Sequence, residues 1–146
     1  MGKALILFAT RSGQTESIAE YIAEGIRFTG NEANIRNAAQ VKNAEEIEGY
    51  DAYVIGSPTY HGEMVQGIKN VLFLASNASL EGKVGGAFGA FGWSGEAVDR
   101  IYETMEKVFK MDMVGTPLRL KSADIQGGMQ MAQDYGRQVG RKISGE

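Results

Sequence analysis

Cysteine is absent from all 146 residues, which excludes disulfides, thiolate nucleophiles and cysteine-ligated zinc or iron–sulfur sites. Any redox chemistry must therefore come from a bound cofactor. Histidine occurs once, at His61, and this disfavours multi-histidine metal sites and any hydrolytic triad built on a second histidine. Proline occurs twice, at Pro58 and Pro117, with no proline-rich linker, internal repeat or low-complexity tract. No apolar run approaches the length needed to cross a bilayer. The start Met1-Gly2-Lys3 passes straight into an apolar strand, without the cleavage signal of an exported precursor, so a cytoplasmic location with no membrane partner is expected. A formal net charge of −3 gives no electrostatic footprint for nucleic acid. The one basic cluster, Arg137, Arg141 and Lys142, falls in the last turns of a predicted helix, where cations complement the helix dipole.

The length suits a single domain, 1–146, with a full core, and 43% hydrophobic with 23% charged residues is the composition of a globular protein. Apolar runs alternate with segments of helical period, the pattern of a parallel sheet covered by helices. The runs predict strands over 3–9, 32–37, 52–57, 83–90 and 112–120, and helices over 14–29, 64–76, 95–110 and 125–143. Ile18, Ala19, Ile22 and Ile26 form the inner face of the first helix. Val98, Ile101, Tyr102, Met105 and Val108 make a stripe on the third, and Met129, Ala132, Gly136, Val139 and Ile143 do so on the last. Ala44-Glu45-Glu46-Ile47 has room only for a short helical turn.

Chemistry concentrates in three loops. Ala4-Leu5-Ile6-Leu7-Phe8-Ala9 reads as a strand buried on both faces, and Thr10-Arg11-Ser12-Gly13-Gln14-Thr15 opens from it directly into a helix. Free backbone N–H groups and the positive end of the helix dipole meet there, so an oxyanion can bind without a lysine. The same hydroxyls suit a helix cap, and both readings stay open on this loop alone. A Walker-type loop is excluded because Gly13 is followed by Gln14-Thr15, and a dinucleotide fingerprint because Gly13 stands alone. The second loop, Ser57-Pro58-Thr59-Tyr60-His61-Gly62-Glu63, is expected where Pro58 breaks the third strand. The third is Gly89-Ala90-Phe91-Gly92-Trp93-Ser94-Gly95-Glu96. Aromatic side chains on such glycine-bearing loops are poorly explained by core packing and well suited to sandwich a flat ring. Glu63 and Glu96 read as helix-start acids, with Ser94 as a cap. A phosphate cradle with two aromatic walls describes a site for FMN.

With these loops in this order, the whole chain resembles a flavodoxin of the short-chain type. Residues 1–8 and Thr10-Arg11-Ser12-Gly13-Gln14-Thr15 are similar to that family's first strand and its T-x-T-G-x-T phosphate loop. Further likeness covers Ser57 to Gly62, Phe88-Gly89, and Gly95-Glu96-Ala97-Val98-Asp99-Arg100-Ile101. The resemblance implies a doubly wound α/β sandwich with a five-stranded parallel sheet in the order 2-1-3-4-5. It also implies FMN outside the carboxyl ends of the first and third strands, flavodoxin itself being a standard illustration of that rule. Thr10, Ser12, Thr15 and the amides of residues 11–15 would hold the phosphate, while Tyr60 and Trp93 flank the isoalloxazine. The remaining implied contacts are Arg11, Gly13 and Gln14 in the first loop, Ser57, Pro58, Thr59, His61 and Gly62 in the second, and Gly89, Ala90, Phe91, Gly92 and Gly95 in the third. For the side chains of Arg11 and His61, cofactor-facing and solvent-facing placements both stay open.

Departures from the family qualify the match. Typical flavodoxins are more acidic and have a longer third loop, whereas the short Phe91-Gly92-Trp93-Ser94-Gly95-Glu96 more closely resembles the flavodoxin-like domain of flavodiiron proteins. The second loop is also similar to that of FMN-dependent quinone reductases. The expected role is a monomeric, low-potential one-electron carrier between redox proteins that it meets transiently, with no catalytic residue and no metal. The alternative is an FMN-dependent NAD(P)H:quinone oxidoreductase of the same fold. A phosphorylated receiver domain is discarded, since Phe8-Ala9-Thr10 and Ser57-Pro58 stand where it needs acidic residues.

Overall fold

A computed structural model describes residues 2–9, 13–60, 63–64, 66–90, 96–120 and 127–145. The central strands β1 (Lys3–Phe8), β2 (Glu32–Asn37), β3 (Ala52–Tyr60) and β5 (Val84–Ala90) lie parallel in the order β2-β1-β3-β5. Beyond β5, both β6 (Asp112–Met113) and β7 (Leu118–Leu120) pair with it, at successive registers. The spatial order expected from the resemblance, 2-1-3-4-5, is therefore present, with the fifth position shared by two short strands.

The unbroken apolar runs of β1 and β3 follow from burial on both faces. Ala4, Ile6, Phe8, Ala52, Val54 and Phe88 feed one core, and Leu5, Leu7, Tyr53, Ile55 and Ala87 feed the other. Helices α1 (Gln14–Phe28) and α4 (Gly128–Ile143) cover the first core through Ile18, Ile22, Ile26, Ala132 and Val139. Helices α2 (Gln66–Ala75) and α3 (Glu96–Glu103) cover the second through Ile68, Val71, Val98 and Ile101. On the first face the helices approach to backbone contact. A Cβ on Gly25 would lie 2.0 Å from the Gln133 carbonyl oxygen, and one on Gly136 would lie 2.1 Å from that of Ile22. Among the described residues no helix is long and apolar enough to cross a membrane.

Several expectations need correction. The strand expected over 112–120 is interrupted, because Gly115 takes a positive φ of 48° and Pro117 has no N–H for the ladder. In the gap, the N–H of Ala87 donates instead to the Tyr135 hydroxyl at 3.0 Å. The third helix changes to a π turn over Thr104–Val108 after Glu103. Its extra residue per turn rotates Val108 outward, to 66% exposure, and brings Phe109 in at 8%, so Val108 is not core. Met129 is 49% exposed, since Gly128 takes the inward position one turn before Ala132. The stretch before β3 forms two 3₁₀ turns, Ala38–Gln40 and Ala44–Glu46, each started by an asparagine side chain that accepts a backbone N–H.

Candidate functional site

The chain leaves β1 toward β2 on one side and returns to β3 on the other, so the direction of winding reverses between β1 and β3. At their carboxyl ends the Ala9 N–H donates to the Gly56 carbonyl at 3.2 Å, beyond the last paired residues, Phe8 and Gly56. In open α/β sheets, ligands bind in the crevice at such a reversal.

Helix α1 begins at this edge with a glycine as its N-cap, a residue with no side chain to cap the first turn. Its N-cap, Gly13, has φ 86°, a left-handed conformation that glycine takes without strain, and a Cβ built there would meet nothing within 4 Å. The Gly13 carbonyl accepts both the N–H and the hydroxyl of Ser17 at 3.2 Å. The amides of Gln14, Thr15 and Glu16 stand before that first helical bond, where an α-helix has no acceptors of its own. Thr15 is buried, at 1% exposure. First-turn amides at a positive helix end, entered through a glycine with open space around it, are the donor set a phosphate monoester requires. The residues present therefore fit the phosphate of FMN. Thr10, Arg11 and Ser12 lie outside the described residues, as does the side chain of Gln14.

The second loop departs from expectation. Pro58 does not end the third strand: β3 continues through Tyr60, and β4 (Glu63–Met64) returns antiparallel, with Thr59 opposite Met64 and Tyr60 opposite Glu63. Proline is tolerated because β3 has parted from β1 beyond Gly56 and keeps only β5 as a parallel neighbour there. Glu63 is consequently a strand residue rather than a helix-start acid. Ser57 is fully buried, and its hydroxyl donates to the Pro58 carbonyl at 2.8 Å. The side chains of Thr59 and Tyr60, together with His61 and Gly62, lie outside the described residues.

The third segment is joined to the second through the sheet, with Ser57 opposite Gly89 and Pro58 opposite Ala90. A Cβ on Gly89 would lie 3.0 Å from the Ser57 carbonyl oxygen and 3.1 Å from the Val98 Cβ, so α3 rests directly on the end of β5. Glu96 opens α3, with Asp99 also in its first turn. Phe91, Gly92, Trp93, Ser94 and Gly95, and the side chain of Ala90, lie outside the described residues. The described parts of all three predicted segments thus share the carboxyl edge. One contributor was not singled out from the sequence. Gly56 receives the Phe88 ring, which a Cβ would meet at 2.2 Å, and so lets the floor beneath this edge close. A glycine inside an apolar strand is the signal that marks such a close approach. Among the described residues, no group of acidic or histidine side chains could hold a metal ion.

Comparison with known proteins agrees with this geometry. The family model described as flavodoxin domain matches residues 5–121. Rubredoxin-oxygen oxidoreductase of Megalodesulfovibrio gigas is 28% identical over 149 residues, covering 97% of this chain and 37% of that protein. Flavo-diiron protein FprA2 of Clostridium acetobutylicum is 31% identical over 144 residues, covering 92% of this chain and 36% of that protein. The chain thus spans little more than a third of either curated relative. A solved flavodoxin from the domain Archaea superposes with a TM-score of 0.91 at 27% identity, covering 97% of this chain and 99% of that one.

Proposed function

The chain belongs to the flavodoxin domain family, and from that premise we propose that it is a low-potential one-electron carrier between other redox proteins. Its cofactor is FMN. The observation that carries the proposal is the end-to-end likeness to the archaeal flavodoxin, combined with the glycine-entered start of α1 at the strand-order reversal. FMN, when bound, supplies a ring that accepts and releases single electrons.

The residues of the chain divide the remaining work. Thr10, Arg11, Ser12, Gly13, Gln14 and Thr15 hold the phosphate, the amides of the first helical turn doing most of it. Ser57, Pro58, Thr59, Tyr60, His61 and Gly62 run along one side of the ring. Gly89, Ala90, Phe91, Gly92, Trp93 and Gly95 run along the other. Tyr60 and Trp93 are the aromatic walls, stacking on the ring and excluding water from it. In this reading residues 1–146 act as one monomeric domain in the cytoplasm that meets its redox partners transiently, and no side chain has an acid–base task.

The quinone oxidoreductase alternative differs in how the flavin is reduced. The match to a flavodoxin over 99% of its length supports the carrier, while the relatives of which this chain covers about a third include an oxidoreductase named for rubredoxin and oxygen rather than quinone. Anaerobic mixing of the holoprotein with NADH or NADPH separates the two. A carrier leaves the visible flavin band unchanged over minutes, whereas bleaching followed by turnover with added quinone would transfer the assignment to the enzyme.

A further inference from the structure

Outside the residues assigned to FMN, one polar contact joins two elements that end at the same edge. Arg119 of β7 forms an ion pair with Asp99 of α3. Arg119 is the register partner of Gly89, and the next pair is Leu120 with Ala90, the last strand residue before 91–95. Leu118 and Leu120 point into the core under α1 and α4, so the alternation of the strand sends Arg119 to the α3 face. Asp99 sits in the first turn of α3, one residue after Val98, the side chain that rests on Gly89.

We infer that Asp99 and Arg119 are a positioning pair for the cofactor site, holding the start of α3 against the carboxyl ends of β5 and β7. The inference rests on the FMN reading above. The five residues 91–95 run from Ala90, fixed in the sheet, to Glu96, whose helix is short and gives way to a π turn after Glu103. β7 is itself only three residues long and pairs with β5. The ion pair ties these two lightly held elements together across the end of β5, and so sets the separation between the two ends of 91–95. The side chains of Arg119 and Asp99 are 41% and 51% exposed, a situation in which an ion pair adds little to global stability. Its contribution is instead to local geometry.

A double-mutant cycle tests this, with affinity for FMN and for riboflavin measured on wild type, Asp99→Asn, Arg119→Gln and the double variant. Positioning requires both single changes to weaken binding, by about threefold or more, with the double variant no worse than the worse single one. FMN and riboflavin should lose affinity in parallel, since the ring side of the site is what loosens. A readout independent of cofactor is amide hydrogen exchange in the apoprotein, where the first turn of α3 should exchange faster in both variants while thermal midpoints stay near wild type. Independent charges acting on anionic FMN give the opposite signature: Arg119→Gln weakens and Asp99→Asn tightens, additively, with riboflavin unaffected. That result, or wild-type binding and exchange in both variants, would overturn the proposal while leaving the FMN reading intact. Failure of wild type itself to bind FMN would overturn that reading and this proposal with it.

Discussion

Trp93 is the only tryptophan of the chain, so tryptophan emission reports on one position. As a wall of the flavin site it should be strongly quenched in the holoprotein and recover when FMN is removed. Trp93→Ala should weaken FMN binding by about 1–3 kcal/mol, the scale of a stacked aromatic contact and its buried area, with little loss of fold stability. Unquenched emission would leave Tyr60 as the only wall. Tyr135 has a different task, since its hydroxyl takes the Ala87 N–H where the fifth strand is broken. Tyr135→Phe leaves that N–H without its partner at a site 4% exposed, a loss of roughly 1–3 kcal/mol in chemical denaturation. Burial, only partly opposed by the Ala87 hydrogen bond, pushes the Tyr135 hydroxyl well above the ordinary tyrosine value of 10.0. The unfolded chain therefore loses this proton first as pH rises. The contribution is fully present below pH 10 and declines above it, by about 1.4 kcal/mol per pH unit for one such group. Tyr135→Phe should make the alkaline fall in stability shallower, and an unchanged slope above pH 10 would contradict the assignment.

At the level of elements, the contact of α1 with α4 depends on two glycines that allow backbone to meet backbone. Gly136→Ala would place a methyl group 2.1 Å from the Ile22 carbonyl oxygen, so the helices must separate. The expected cost is about 1–3 kcal/mol, read as a lower urea midpoint with an unchanged slope, and full stability would show that α1 and α4 do not pack this closely. The sequence made most elements legible, because β1 and β3 are continuous apolar runs and α1 repeats isoleucine every fourth residue. It was less informative wherever one residue changes the phase. The π turn at Thr104–Val108 exchanges Val108 for Phe109, and helical periodicity assumes a constant turn that cannot foresee this. Pro58 read as a strand end because a missing N–H is costly in a ladder, yet its strand had already parted from β1. At the candidate site, the start of α1 was legible, because Gly13 stands between an apolar run and a segment of helical period. Gly56 marks a close approach by its place in an apolar strand, but that the approaching ring is Phe88 of another strand is not readable from local sequence. The Asp99–Arg119 pair likewise joins residues far apart in the chain that no local pattern relates.

The whole molecule places a glycine-entered helix start, an extended β3–β4 hairpin and the end of β5 on one edge of its sheet. The same architecture accounts for nearly the whole chain of the archaeal flavodoxin and for about a third of the rubredoxin-oxygen oxidoreductase chain. What the two settings share with this chain is the fold, and the proposal that this chain passes electrons singly, from FMN held at this edge, is the central claim. An anaerobic potentiometric titration of the FMN-loaded protein, followed by visible absorbance, tests it most directly. Two resolved one-electron waves, both reached with a low-potential mediator, are the expected result. A single two-electron wave would contradict the carrier role.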